Sequence, residues 1–148
     1  MPNPKITFIG AGSTVFMKNI IGDVLQRDAL KGAHVALMDI NEQRLNESEM
    51  VFNKLVASLD VPATYSLHLN QREALEGADF LLHLAGATVS KRWTASYKRV
   101  INDSRIYTSQ VLYDALKRVK QGPSCCVSAS AIGYYGSSFD QKFNEEHP

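Results

Sequence analysis

Lys5-Ile6-Thr7-Phe8-Ile9-Gly10-Ala11-Gly12-Ser13-Thr14-Val15 is the stretch of sequence that decides the fold. Its first five residues form an apolar run with β-branched members, which predicts a buried strand. Gly10 and Gly12 predict a tight turn, and Ser13 stands where the N-cap of a following helix belongs. Such a turn leaves backbone N–H groups free and directs the positive end of a helix dipole at open space. The stretch therefore predicts a site for a phosphate or diphosphate.

Asp39 extends this prediction from a phosphate to a dinucleotide. It follows a second apolar run, 35–38, and lies roughly twenty-odd residues past the turn, where a carboxylate meets the ribose hydroxyls of adenosine. The same charge repels a 2′-phosphate, so we expect NAD in preference to NADP. A turn with a purely structural role stays open as the alternative. The dinucleotide prediction requires free amides beside Gly10 and Gly12 and a carboxylate that faces the crevice.

The composition is that of a globular domain without a strongly charged surface. The chain has 148 residues, of which 45% are hydrophobic and 21% charged, enough for one core. Its net charge of +1 gives no electrostatic case for binding nucleic acid or an anionic membrane. No apolar run approaches the roughly twenty residues that span a bilayer, and the N-terminus lacks the apolar core of a signal peptide. We expect one cytoplasmic domain over residues 1–148.

The cysteines and histidines do not follow a metal-binding pattern. Cys125 and Cys126 are adjacent, so they point to opposite faces of a strand and are not expected to form a mutual disulfide. We expect both to be small, buried core residues in the reduced form. The histidines lack paired metal spacing and are interpreted as polar residues of strands or of the tail: His34, His68, His83 and His147.

Strand and helix patterns alternate along the chain. Asn41 and Asn70 are placed to cap helices, Pro62 ends the second helix, and Gly122 follows the fourth. After the first strand, the pattern predicts further strands at about 34–40, 64–69, 80–84 and 124–128, and helices at about 14–29, 42–61, 71–77 and 93–120. This alternation predicts an α/β fold, a doubly wound parallel sheet of the Rossmann type with strand order 3-2-1-4-5.

The strand order predicts where a ligand would bind. The crevice of a doubly wound sheet lies at the carboxyl ends of strands one and four, where the order reverses. Ala85 and Gly86 form the exit of the fourth strand, so they are expected at the same edge as Gly10, Gly12 and Asp39. This clustering favours nucleotide binding more strongly than any one motif does.

The first half of the chain resembles a known family. Residues 6–16, 36–40 and 72–80 are similar to the N-terminal part of the family 4 glycoside hydrolases, the NAD- and manganese-dependent α-glucosidases and α-galactosidases. Val15, in place of a third glycine, is what that family shows. The resemblance implies that Gly10, Gly12, Ser13 and Asp39 hold NAD. The family's manganese ligands come from chain beyond the half represented here, so that role is not assigned to Cys125 or Cys126.

The second half resembles a different family. Residues 84–87, 91–94, 103–106 and 128–136 are similar to the sugar-nucleotide-epimerase-like branch of the extended short-chain dehydrogenases. The resemblance implies that the Ala-Gly turn after strand four packs on the cofactor and that Ser130 lines the active site. We assign the cofactor site to Gly10, Gly12, Ser13, Thr14, Val15, Asp39, Ala85, Gly86 and Ser130.

The two resemblances meet in strand four, so residues 1–80 and 81–148 are expected to be two halves of one Rossmann-like domain. An engineered or recombined chimera is the simplest interpretation, and a natural fusion is the alternative. In the second family a Tyr-x-x-x-Lys pair after the serine supplies the proton chemistry. No such pair follows Ser130, so we do not expect a complete catalytic site. The one such spacing, Tyr113 and Lys117, precedes Ser130 and occurs by chance on any amphipathic helix.

Three functions stay open on these grounds. The first is an NAD-binding module without a complete catalytic site, with NADP kept open because the second family often takes it. The second is an NAD(P)-dependent reductase or epimerase that acts on a sugar nucleotide. The third is a structural scaffold with an empty crevice. An open sheet edge at the fifth strand would favour a homodimer.

Overall fold

The computed structural model describes residues 3–129 and 138–144. In these ranges five strands alternate with four α-helices and one short 3₁₀ turn at Asp28–Leu30. The strands are β1 (Lys5–Ile9), β2 (His34–Met38), β3 (Thr64–His68), β4 (Phe80–His83) and β5 (Cys125–Ser128), and the helices are α1 (Thr14–Leu25), α2 (Glu42–Leu59), α3 (Gln71–Leu75) and α4 (Ala95–Leu116).

The sheet is parallel and has the order β3-β2-β1-β4-β5, which confirms the predicted doubly wound, Rossmann-like fold. Ile9 pairs with Met38 on one side and with His83 on the other, so the central strands end level with one another. Their carboxyl ends therefore form one edge, and the order reverses there between β1 and β4.

Two apolar layers enclose the sheet because successive residues of a strand point to opposite faces. Ile6 and Phe8 of β1 pack with the buried residues of α1 and α2, among them Met17 and Phe52. Ile9 faces the other way and packs in a smaller cluster: Met38, Ala74, Leu75, Leu81 and Leu112. Helices α1 and α2 thus cover one face, and α3 and α4 contribute to the other.

Two of the predicted caps form, and all four helices are shorter than predicted, α1 and α4 by the most residues. The side chain of Asn41 accepts a hydrogen bond from Arg44 N, and that of Asn70 accepts from the first amides of α3. Helix α1 ends at Leu25 instead of continuing to residue 29, because the chain tightens into the 3₁₀ turn. Helix α4 begins only after Thr94, whose hydroxyl accepts from Tyr97 N, and ends at Leu116.

Two expectations about burial are wrong: that Val15 and Phe16, which fall on the apolar face of the first predicted helix, are packed, and that both cysteines are buried. Val15 and Phe16 are 69% and 63% exposed, because the buried face of α1 follows Met17 and Ile21 instead. Both Cys125 and Cys126 are free and exposed. Their strand is the edge of the sheet, and all four of its residues are exposed, so it does not form part of the core.

Candidate functional site

The glycine turn bonds its own amides into the fold. The amides of Gly10 and Ala11 both donate to Met38 O at the end of β2, at 3.0 and 2.9 Å, and Ser13 N donates to Gly10 O at 3.1 Å. Gly10 has a φ of +93°, which turns these two amides toward β2. The expectation that the amides beside the first two glycines are free is therefore wrong.

The carboxylate of Asp39 faces the turn, as predicted. Its Oδ2 accepts from Gly12 N at 2.8 Å, and its Oδ1 accepts from Asn41 N at 2.9 Å. A carboxylate offers about four acceptor positions, so two of them are left for a ligand. Asp39 is half-buried, and its side chain is fixed at the edge of the sheet before any ligand arrives.

The free donors lie one turn further along the chain than predicted. Among the described residues, no acceptor is found for the amides of Thr14, Val15 and Phe16, the first three residues of α1. Ser13 occupies the N-cap position, but its side chain makes no capping bond. The first-turn amides of a helix point out along its axis, where the helix dipole favours an anion. The start of α1 is therefore where a phosphate can be bound.

Gly10 and Ala85 bring β1 and β4 into close contact at the crevice. A Cβ placed on Gly10 would lie 2.7 Å from Ala85 N and 2.8 Å from Ala85 Cα. The exit of β4 therefore lies directly against the glycine turn, as the strand order predicts. Gly86 follows and is exposed.

Ser48 is a site residue that the sequence analysis missed. It is fully buried in α2, and its Oγ donates to Ala11 O at 2.7 Å, which holds the peptide between the two glycines. The hydroxyl of Thr14 lies 3.3 Å from Ser48 Oγ. The sequence pattern could have identified it, because Ser48 lies between Leu45 and Phe52 on the apolar stripe of α2. A polar residue in such a stripe needs a buried partner.

The histidines lie on strands, as interpreted, apart from His147, which falls outside the described residues. The Ser66 hydroxyl links His34 Nε2 at 3.0 Å to His68 Nε2 at 2.8 Å. Burial, followed by the charge of Lys5, lowers the pKa of both imidazoles. Burial alone lowers the pKa of His83. These imidazoles lie on β2, β3 and β4, and that of His83 is on the residue that pairs with Ile9, next to the glycine turn.

No metal site is found in the part of the chain that the structure describes: no three His, Cys, Asp or Glu side chains are grouped there. Ser130, the remaining predicted cofactor residue, lies outside the described residues. No helix of the described ranges is long and apolar enough to cross a membrane.

The parallel sheet, the glycine turn and the carboxylate after β2 define a domain of the Rossmann class. Residues 5–106 match the sequence profile of the family 4 glycosyl hydrolases. The chain belongs to this family. The matched range continues into α4, past residue 80.

Curated relatives come from two groups of proteins. An α-galactosidase of Bacillus subtilis is 39% identical over 79 residues, covering 53% of this chain. An epimerase family protein of Staphylococcus haemolyticus is 42% identical over 69 residues, covering 47% of this chain. An epimerase family protein of Staphylococcus aureus is 39% identical over 141 residues, covering 95%. This chain spans 18%, 23% and 42% of the length of these three relatives.

Solved structures share the fold. A 6-phospho-α-glucosidase from gut microorganisms, in complex with NAD and glucose-6-phosphate, has a TM-score of 0.66 at 20% identity; the match covers 90% of this chain and 34% of the enzyme. A variant UDP-glucuronic acid 4-epimerase of Bacillus cereus, in complex with NAD and a fluorinated sugar nucleotide, has a TM-score of 0.64 at 18% identity. That match covers 96% of this chain and 44% of the epimerase.

Proposed function

We propose that this chain is a dinucleotide-binding module that takes NAD at the carboxyl edge of its sheet. The observation that carries the proposal is the placement of Asp39 against Gly12, with two carboxylate acceptor positions left for ribose hydroxyls. The amides of Thr14, Val15 and Phe16 would take the diphosphate, in place of the bonded amides of Gly10 and Gly12. The family 4 membership supports the same cofactor.

The surface beside Asp39 supports an adenine site. Ile40 follows the carboxylate and is 88% exposed, and Leu69 is exposed at the end of the neighbouring strand β3. Exposed apolar side chains at a crevice mark a surface that a ligand can cover. An adenine base stacked on Ile40 would place its ribose at Asp39 and its diphosphate toward α1.

The test is a titration of NAD against the wild-type chain and the Asp39→Ala variant. Asp39→Ala should lower the affinity for NAD by about tenfold or more, since the substitution removes charged hydrogen-bond acceptors. NADP should bind the wild type more weakly than NAD, and Asp39→Ala should narrow that difference. Asp28→Ala is the matched control, because it removes the same charge at an exposed ion pair with Lys31.

A wild-type chain that shows no saturable binding at millimolar NAD would contradict the proposal. In that case the structural scaffold, the third function considered, would be left. Equal NAD affinity in the wild type and in Asp39→Ala would contradict only the role of Asp39 and would leave NAD binding by the chain intact.

We further propose that the chain joins two Rossmann halves, residues 1–80 and 81–148, without a complete catalytic site. Partial matches to an α-galactosidase and to an epimerase family protein, over 53% and 47% of the chain, support this origin. The match to the Staphylococcus aureus epimerase family protein, over 95% of the chain, favours a natural fusion instead. The two halves pair through β1 and β4, so the sheet should unfold as one unit. Circular dichroism and the fluorescence of Trp93 should give coincident urea curves. Two separate transitions would contradict a single domain.

Catalysis on a sugar nucleotide is the second candidate function, supported by the 39% identity to the epimerase family protein of Staphylococcus aureus. It predicts oxidation of NADH or NADPH in the presence of a sugar nucleotide, at a rate that Ser130→Ala lowers. Flat absorbance traces over a panel of sugar nucleotides would contradict it and leave the binding module.

A homodimer through β5 is also proposed, because this exposed strand is the edge of the sheet that the described residues form. Sedimentation at rising protein concentration tests it, and a monomer at all concentrations would contradict it.

A further inference from the structure

Arg105 of α4 lies against the exit of β4. A Cβ placed on Gly86 would be 3.4 Å from Arg105 Cζ, so the guanidinium packs on the backbone of this glycine. Its Nη1 donates to Ala87 O at 3.3 Å and to Ile101 O at 3.1 Å. These two bonds hold the side chain in one orientation over the loop.

The remaining donors of Arg105 have no partner in the part of the chain that the structure describes. A guanidinium has five N–H donors, and the two bonds from Nη1 leave Nε–H and both Nη2–H groups. Within residues 3–129 and 138–144 these groups have no acceptor, and the single ion pair there joins Lys31 and Asp28. Arg105 is exposed, and backbone carbonyls hold its guanidinium. None of the carboxylates in the described ranges forms an ion pair with it.

The position of this charge follows from a series of contacts. Gly10 touches Ala85, and Gly86 touches Arg105. The guanidinium therefore borders the crevice from the α4 side of the sheet, whereas the first-turn amides of α1, which have no acceptor among the described residues, approach from the other side. A group bound between them would meet positive charge from both.

We propose that Arg105 is a binding residue for the diphosphate of the dinucleotide, a role that rests on the proposed function. The planar guanidinium fork matches two phosphoryl oxygens, and charge-assisted bonds of this kind are stronger than neutral ones. The Nη1 donors fix the side chain over the loop. We therefore assign Nε and Nη2, which have no acceptor among the described residues, to the ligand.

The test compares Arg105→Gln and Arg105→Lys with two controls. Arg99→Gln removes the same charge from an exposed arginine of the same helix. Ser104→Ala loosens the same loop, because Ser104 Oγ accepts from Ala87 N at 2.9 Å, while the guanidinium stays. The ligands are NADH, ADP-ribose, AMP and inorganic pyrophosphate, each measured by calorimetry.

Arg105→Gln should lower the affinity for NADH, ADP-ribose and pyrophosphate by about tenfold. The affinity for AMP, which lacks the diphosphate, should fall by less than about twofold. Arg105→Lys should recover part of the loss, since it keeps the charge without the fork. Both controls should bind as the wild type does.

Two results would overturn the role of Arg105 and leave NAD binding intact: equal affinity for ADP-ribose in the wild type and Arg105→Gln, or an equal loss in Ser104→Ala. A wild-type chain that binds neither NADH nor pyrophosphate would overturn both proposals. Pyrophosphate binding that depends on Arg105, in a chain that does not bind NADH, would support the anion site and contradict only the proposed function.

Discussion

The amide of Gly12 and the carboxylate of Asp39 share a contact that leaves no room for a side chain. The hydrogen bond from Gly12 N to Asp39 Oδ2 measures 2.8 Å, and a Cβ on Gly12 would lie 2.6 Å from the same oxygen. The φ of Gly12 is not positive, so backbone conformation does not require glycine at this position. The close approach of the Asp39 carboxylate does.

Gly12→Ala should therefore displace Asp39 from the crevice. We expect the affinity for NAD to fall by about tenfold or more, because the ribose acceptors move with the carboxylate. The fold should persist, since a half-buried side chain can rotate toward solvent. Calorimetric titration with NAD measures the effect.

Gly22→Ala is the control for this substitution. Gly22 lies inside α1, and a Cβ there would meet Leu55 Cδ1 at 3.5 Å, an ordinary contact. Alanine in a helix interior is favoured over glycine, so this variant should be as stable as the wild type or about 0.5–1 kcal/mol more stable.

Unchanged NAD affinity in Gly12→Ala would show that Asp39 does not act through its contact with Gly12.

Gly10→Ala should be far more destabilising than Gly77→Ala, although both glycines have a positive φ, +93° and +69°. At Gly77 a Cβ meets nothing within 4 Å, so only the backbone conformation is strained, at about 1–2 kcal/mol. At Gly10 the Cβ meets the backbone of Ala85, which cannot move without breaking the pairing of β1 with β4. We expect a loss of about 3 kcal/mol or more. Urea unfolding of both variants checks this, and equal losses would contradict the contact.

Sequence reasoning succeeded where one strong local signal decides the structure. The strand order followed from alternating periods, and the capping bonds of Asn41 and Asn70 involve amides only two or three residues away. It failed where the partner is distant in sequence. The amides of Gly10 and Ala11 bond to Met38 O, on another strand, and the glycine motif does not specify that acceptor.

The predictions of burial for the exposed residues were wrong for a related reason. A periodic pattern identifies an apolar stripe, but it does not say which residues of the stripe reach a neighbouring element. Phe16 therefore seemed to belong to the packed face of α1, and Cys126 to a covered strand. Arg105 lies in one of the stretches that resemble the epimerase-like family, 103–106, but that resemblance assigned it no binding role, because the role depends on the loop of Gly86 that packs beneath it.

The stability of the chain should fall as the pH drops below about 6.5, the ordinary pKa of histidine. Burial lowers the pKa of His34, His68 and His83, and the charge of Lys5 lowers the pKa of the first two further. The unfolded chain then binds protons more readily than the folded chain, so stability is full above this pH and declines toward the lower, folded pKa values.

Urea midpoints between about pH 7.5 and 5.5 measure this decline while the carboxylates stay ionised. His83→Leu should make the slope shallower, because His83 is buried and its Nε2 has no partner among the described residues. Stability that is constant or rises as the pH falls over this range would contradict the prediction.

Both thiols of β5 should react in the native chain. Cys125 and Cys126 are exposed on the edge strand, so a thiol reagent such as DTNB should label both cysteines without denaturant. Partial burial, and then the neighbouring Cys125, raise the pKa of the Cys126 thiol, and only the thiolate reacts. Partial burial, the larger cause, persists in the Cys125→Ser variant, so its Cys126 should react slowly at neutral pH and faster as the pH rises. Labelling that requires denaturant at every protein concentration would contradict an exposed edge. Protection that appears only at high concentration would place a second copy of the chain on β5.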